Sequence, residues 1–164
     1  SRGQEAGIKL SLQAVDVLPI LMTAARKATQ CLDVIVDIDC KLMPQQRIAM
    51  IDHDHFVQVI FNLVENSSKY ANRQKPIKLS VEAHPTKRQL TIRVSDHGKE
   101  LTSRELEQIF NPFFRAQNAS GKVGSGLGLY FVRSIIETMN GKVTAEAREG
   151  GGLELTICVP TGDT

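Results

Sequence analysis

The sequence predicts an α+β fold: a mixed, mostly antiparallel sheet with helices packed on one face. Three observations lead there. Apolar residues alternate with polar ones at Val34, Val36 and Ile38, and again at Leu90, Ile92 and Val94, the period of a half-buried strand. Elsewhere they recur at helical spacing, as in Ile20, Leu21, Ala24, Ala25 and Ala28. Strand and helix signals are mixed rather than strictly alternating, and two strand pairs are joined by turn-formers, Pro85-Thr86-Lys87-Arg88 and Gly150-Gly151-Gly152, which read as hairpins.

The elements follow in order. Residues 1–7 are polar, carry Gly3 and Gly7, and read as the end of a preceding element. Leu10, Leu12 and Ala14 mark a short strand. A helix is expected over 17–30, with Pro19 in its first turn. A second strand alternates Val34, Val36 and Ile38 with aspartates, and 47–51 is a third. Asp54 is the expected N-cap of a helix reaching Tyr70. Residues 78–84 and 89–95 form a hairpin, and 102–109 a short helix capped by Thr102 or Ser103. The Pro, Asn, Ser and Gly of 111–123 read as a loop. A helix over 126–139 ends at Asn140-Gly141, and 143–147 with 153–159 closes the chain as a second hairpin.

At 164 residues the chain suits one domain with its own core. A formal net charge of +2 gives no ground for nucleic acid or an anionic membrane as partner. Cys31, Cys40 and Cys158 are an odd set without CxxC spacing, which points to reduced, mostly buried thiols in a cytosolic setting and away from a disulfide framework. His53 and His55 with Cys40 fit no recurrent zinc spacing. No apolar run approaches the ~20 residues that span a bilayer. The chain begins Ser1-Arg2-Gly3 without a methionine, so it is expected to be part of a longer protein whose membrane anchor, if any, lies elsewhere.

Three segments carry candidate chemistry. In the helix ending at Tyr70, a turn of about 100° per residue puts Gln58, Asn62, Glu65, Asn66 and Lys69 on one face. A solvated stripe is one reading. Asparagine, however, is a mediocre helix former, and a carboxamide oxygen suits Mg²⁺, which keeps several waters and binds a substrate's phosphates. Lys69 on the same face can meet phosphate, and Tyr70, at the edge of the apolar face, can pack on a base. Asp96 arrives as a strand ends and is followed by Gly98. That is ordinary turn chemistry, or a carboxylate placed to accept from an adenine amino group with Gly98 leaving room for the base. Gly124-Ser125-Gly126-Leu127-Gly128-Leu129 opens a helix. It reads as a loose N-cap, or as a cradle whose N–H groups and positive helix end attract an anion.

Taken together the segments resemble the catalytic, ATP-binding domain of bacterial sensor histidine kinases, within the superfamily that includes gyrase-type ATPases. The likeness covers nearly the whole chain. Gln58-Val59-Ile60-Phe61-Asn62-Leu63-Val64-Glu65-Asn66-Ser67-Ser68-Lys69-Tyr70 resembles the family's N box, and Val94-Ser95-Asp96-His97-Gly98 its first glycine box. Ile109-Phe110-Asn111-Pro112-Phe113-Phe114-Arg115 resembles the F box, and Gly124 to Leu129 the second glycine box. The finish from Gly152 to Pro160 resembles the family's last strand. Two positions depart from the pattern: Glu100 stands where a second glycine is usual, and Ser67 where alanine is usual.

The resemblance implies a Bergerat-type ATP-binding fold, a two-layer α/β sandwich with the sheet on three main helices. It makes residues 1–9 the end of an upstream dimerisation hairpin and linker, and 10–164 the catalytic domain, with an ATP lid over about 111–125. Asn66 becomes the main Mg²⁺ ligand with Asn62 in support. Lys69 meets phosphate, Tyr70 stacks on adenine and Asp96 reads its amino group. Arg115 stabilises charge on the transferring phosphoryl. Gly98, Phe113 and the run Gly124, Ser125, Gly126, Leu127, Gly128 and Leu129 complete the nucleotide site. ATP and Mg²⁺ are the implied cofactors. The implied partners are the parent's phosphoacceptor helices, since none of the chain's four histidines stands in a matching context, and a response regulator receiver domain. No nucleic acid is expected, and the membrane enters only through other parts of a parent anchored in the inner membrane. The competing expectations are a serine kinase of the anti-sigma-factor type, or a degenerate nucleotide-sensing module motivated by Glu100.

Overall fold

The computed structural model describes residues 8–72, 74–114 and 128–162. A five-stranded sheet carries the fold, built from β2 (Val36–Cys40), β4 (Ile77–Ala83), β5 (Gln89–Ser95), β6 (Lys142–Ala147) and β7 (Leu153–Pro160). Its spatial order is β2-β4-β5-β7-β6. Only the β2–β4 pair is parallel; the other three pairs are antiparallel. Two shorter strands, β1 (Gln13–Asp16) and β3 (Ile48–Ile51), pair antiparallel as a separate ribbon. The period-two pattern explains the layering. Ile77, Leu79, Val81, Leu90, Ile92, Val94, Leu153, Leu155, Ile157 and Val159 are buried, while alternate residues such as Lys78, Arg93 and Glu154 stay at least partly exposed.

Three helices cover the buried face: α1 (Val17–Leu32), α2 (His53–Tyr70) and, after the short α3 (Ser103–Gln108), α4 (Gly128–Thr138). Helix α2 packs between α1 and α4 and lies on β4 and β5. Its buried stripe of Phe56, Val59, Ile60, Leu63 and Val64 joins Ile20, Leu21 and Ala24 of α1 and Val132, Ile135 and Ile136 of α4 in one core. This is the α+β fold that the sequence predicts and the two-layer sandwich that the resemblance implies. The thiols, however, are not buried as expected: Cys31 is exposed and Cys40 and Cys158 are half-buried.

The helix starts are set by carboxylates and hydroxyls. Asp16 caps α1 by accepting from the Leu18 amide at 2.9 Å, and the same carboxylate takes the Arg47 guanidinium at 2.8 Å. One residue thus joins β1, α1 and the entry to β3. Thr102 and Glu105 form a reciprocal capping box on α3, as expected. For α2 the expectation is corrected: the cap is Asp52, not Asp54. Asp52 accepts from the His55 amide at 3.1 Å with one oxygen and from the Ser11 amide at 2.8 Å with the other. A distant segment therefore decides which of two nearby aspartates caps, and Asp54 takes the first turn, where an acid is also favourable. The end of α4 runs as expected, with Asn140 left-handed at φ 62° and the Gly141 amide returning to Ile136 at 2.9 Å.

Candidate functional site

Helix α2 presents its polar face with the spacing the sequence predicts, but the two asparagines differ. Asn62 Oδ1 accepts from Gln58 Nε2 at 2.7 Å, one turn back on the same helix. Asn66 Oδ1 is buried and accepts from nothing. Beside it the Ser67 hydroxyl is completely buried, also without a hydrogen bond. An orphaned buried polar atom costs about 1–3 kcal/mol, so the neighbouring orphans make this stretch of α2 a candidate site. Lys69 stands half-exposed in the last turn, where the helix's negative end favours a cation.

Asp96 follows β5 directly and is 0% exposed. It is held reciprocally by β7: its amide donates to the Leu153 carbonyl at 3.1 Å, and its Oδ1 accepts from the Leu153 amide at 3.2 Å. Its Oδ2 has no partner. Burial raises the Asp96 carboxyl to about 6, against the opposing pull of the Leu153 amide, the Ser67 hydroxyl and Arg148. Ser67 thus lies near enough to favour the carboxylate while falling short of hydrogen-bond geometry. The tertiary structure brings Ser67 of α2 against the residue that follows β5, and Asn66 Oδ1 and Ser67 Oγ on α2 and Asp96 Oδ2 after β5 all stay without a partner.

The loop after Asp96 is sewn to the end of α2. The Asn72 amide donates to the His97 carbonyl at 2.6 Å and the Lys99 amide to the Tyr70 carbonyl at 3.1 Å, around an Ala71–Gly98 bridge. A Cβ on Gly98 would overlap the Tyr70 carbonyl and the Ala71 backbone. Gly98 is therefore required by the approach of its own chain, a reason the sequence does not reveal. Between Tyr70, Lys75, His97, Lys99 and Gly151 a polar cavity of about 320 Å³ opens to solvent.

The other expected site residues divide. Gly128 opens α4 with free space within 4 Å of where a Cβ would stand, whereas Leu129 belongs to the core at 4% exposure. Phe113 is 71% exposed with a left-handed backbone at φ 63°, while Phe110 and Phe114 pack against the core. Arg115, Gly124, Ser125, Gly126 and Leu127 lie outside the described residues.

The β6–β7 turn is the part of the site that sequence reading missed. It reads as a glycine hairpin, yet it stands against Asp96. Gly152, at φ 107°, leaves no room for a Cβ beside the Asp96 carbonyl, and a Cβ on Gly151 would stand 3.0 Å from the Gly98 carbonyl. Arg148 Nη1 donates to the Asp96 carbonyl at 2.6 Å. Three successive glycines, more than a hairpin needs, were the only available signal.

Comparison with known proteins agrees with this geometry. Residues 51–163 match the family model described as histidine kinase-, DNA gyrase B-, and HSP90-like ATPase. The sensor protein kinase WalK of Staphylococcus epidermidis is 34% identical over 121 residues, which is 72% of this chain and 20% of WalK. WalK of Staphylococcus aureus is 32% identical over 111 residues, 66% of this chain and 27% of that protein. The chain thus spans about a fifth to a quarter of these relatives' length. Among solved structures, the mycobacterial sensor histidine kinase MprB superposes with a TM-score of 0.78 at 16% identity, covering 94% of this chain and 100% of that one. Full-length ShkA in complex with AMPPNP also gives 0.78, at 20% identity, over 99% of this chain and 35% of that one. With buried, open acceptors on α2 and after β5 inside this sandwich, and a family model matching from β3 to the end of β7, the chain belongs to the histidine kinase-, DNA gyrase B- and HSP90-like ATPase family, and its likeness there is to the ATP-binding catalytic domain of sensor histidine kinases.

Proposed function

We propose that the chain binds Mg²⁺-ATP between α2 and the segment after β5, and presents the γ-phosphoryl to a histidine on helices elsewhere in its parent protein, for relay to a receiver-domain aspartate. The observation that carries the reading is the set of buried, unpartnered oxygens Asn66 Oδ1 and Asp96 Oδ2. The first is a neutral oxygen, the ligand type a hard cation takes. The second is an acceptor placed to take a hydrogen bond from adenine's 6-amino group. Asn66 holds Mg²⁺, which neutralises phosphate charge when bound. Asn62, locked by Gln58, supports it, Lys69 meets phosphate oxygens and Tyr70 stacks on the base. Arg115 and the run from Gly124 to Leu127 are assigned to the phosphates by their motifs, and Gly98, Phe113 and Gly128 to the walls of the site. Catalysis is positioning and charge neutralisation, because the attacking imidazole comes from another domain.

In the same reading, residues 1–9 are assigned to the end of the upstream dimerisation hairpin and its linker, and 10–164 to the catalytic domain. Among the described residues no helix is long and apolar enough to cross a membrane, and we place the domain on the cytoplasmic side of a parent anchored in the inner membrane, as an extension of the same reading.

Calorimetric titration of the chain with ATP, with and without Mg²⁺, tests the site. Affinity is expected to depend on Mg²⁺, and Asn66→Ala to weaken Mg²⁺-ATP binding by more than about tenfold, or about 1.4 kcal/mol. Equal affinity in wild type and variant removes Asn66 from the site. Phosphorylation of the parent's isolated helical hairpin in trans then separates a kinase from a nucleotide-sensing module, which binds ATP but leaves the histidine unmodified.

A further inference from the structure

We propose that Arg148 is a positioning residue for base selection: from the β6–β7 turn it fixes the Asp96 peptide, and with it the carboxylate, in the orientation that accepts adenine's 6-amino group. This rests on the reading of Asp96 given above. The carboxylate itself is lightly held, by a single 3.2 Å bond from the Leu153 amide to Oδ1. Its peptide is held more firmly. Arg148 Nη1 reaches the Asp96 carbonyl at 2.6 Å, a short, charge-assisted bond. The Arg148 backbone is itself fixed in the turn, because its amide donates to the Gly152 carbonyl at 2.9 Å and its carbonyl accepts from the Gly151 amide at 3.1 Å. Gly152 packs against the same carbonyl, with no space for a Cβ between them.

Of the two groups that compete for the guanidinium, one is engaged elsewhere and the other stands farther off than the Asp96 carbonyl. Glu154, on the same concave face of the sheet, accepts from Ser95 at 3.0 Å and pairs with Arg93 at 3.6 Å. His97 Nδ1 is 3.5 Å from Arg148 Nη1, and burial together with Arg148 and Lys75 lowers that imidazole's pKa. The neutral ring can accept from Nη1, but at 3.5 Å it is the weaker partner beside the 2.6 Å bond to the Asp96 carbonyl. A planar guanidinium donating from a backbone fixed in the turn ties the strand end to that turn, which a flexible ammonium does less well. Reading a base by one hydrogen bond needs its acceptor held to within about 0.5 Å.

The test compares ATP with purine riboside 5′-triphosphate, which lacks only the 6-amino group, by calorimetry on the 164-residue chain with Mg²⁺. Wild type is expected to prefer ATP by about tenfold or more, the scale of one hydrogen bond to a charged acceptor. Arg148→Met is expected to reduce that preference to about threefold or less, by weakening ATP while leaving the purine analogue unchanged. Arg148→Lys is expected to fall between, keeping charge and a donor without the fork. Loss of both nucleotides in equal proportion indicates a merely structural or long-range electrostatic role and overturns the assignment, as does an unchanged preference. Should Arg148→Met fail to fold, Arg148→Lys decides, and a wild-type ratio in it overturns the assignment. Asp96→Asn separates the two levels. If it abolishes the preference while Arg148→Met retains it, only the role of Arg148 falls; if wild type shows no preference, the base-reading role of Asp96 falls and that of Arg148 with it.

Discussion

Asp96 holds a carboxyl that the fold makes hard to ionise, because it is fully buried and its Oδ2 has no donor. With a folded-state pKa of about 6 against an ordinary 3.8, the folded chain keeps a proton that the unfolded chain has released between those values. The stability this group contributes is therefore full below about pH 4 and is lost as pH rises through about 6. Asp96→Asn is expected to remove that slope and to make the nucleotide-free chain more stable at pH 7 by about 1–2 kcal/mol, while weakening ATP binding. Urea unfolding at pH 4, 5, 6 and 7 reads the first effect, and a variant less stable than wild type at pH 7 contradicts it. The orphaned Asn66 Oδ1 makes the same point without charge. Both residues are placed at some cost to the unliganded fold, the pattern expected where stability is traded for binding.

At the scale of elements, α2 matters most because it carries Asn62, Asn66, Lys69 and Tyr70 and is fastened at both ends. Its start is held by Asp52, which also grips the Ser11 amide. Burial alone would raise the Asp52 carboxyl, but the bonds from Ser11 and His55 outweigh it and hold the group below its usual value. Its contribution is thus present above about pH 4 and is lost as pH falls below. Asp52→Ala is expected to cost about 1–3 kcal/mol at pH 7 and to speed amide exchange at both Ser11 and His55. Protection lost at only one of them would mean that the two bonds are not one clasp. Helix α4 offers a cleaner separation of folding from binding. At Gly128 a Cβ meets nothing within 4 Å, so Gly128→Ala is expected to leave stability unchanged or raise it by up to about 1 kcal/mol. If the segment cradles phosphate, ATP affinity falls in the same variant. Unaltered affinity would take Gly128 out of the cradle.

Across the whole molecule, a ligand that bridges α2 and the end of β5 ties the helical layer to the sheet. Mg²⁺-ATP at about 100 times its Kd is expected to stabilise the chain by about 2.7 kcal/mol, a rise in Tm of about 5–10 °C for a domain of this size. Differential scanning fluorimetry reads this directly. The rise is expected to shrink without Mg²⁺ and in Asn66→Ala, and a rise insensitive to both would place the nucleotide elsewhere.

How much of this was legible beforehand depends on the range of the interaction. The alternation at Leu90, Ile92 and Val94 and the stripe from Ile20 to Ala28 are local, so strands and helices emerge within a few residues of their observed bounds. The motif spacing also singled out Asn66 and Asp96 as candidates, and these are residues whose side-chain oxygens the fold buries without a partner. The parallel pairing of β2 with β4 was not legible, nor was the insertion of β7 between β5 and β6, since a strand's pattern shows which face is buried but not which neighbour it meets. The choice of Asp52 over Asp54 turned on Ser11, 41 positions away. Asn62 and Asn66 look alike in sequence and part only when Gln58 occupies one of them. Gly98 and Gly152 gained their reasons from backbone that folding brings against them. The sequence by itself determined which groups are candidates for the site. Only the packing of α2 and of the β6–β7 turn around the end of β5 decided which oxygens remain open, because hydrogen-bond satisfaction and burial depend on neighbours that are distant along the chain.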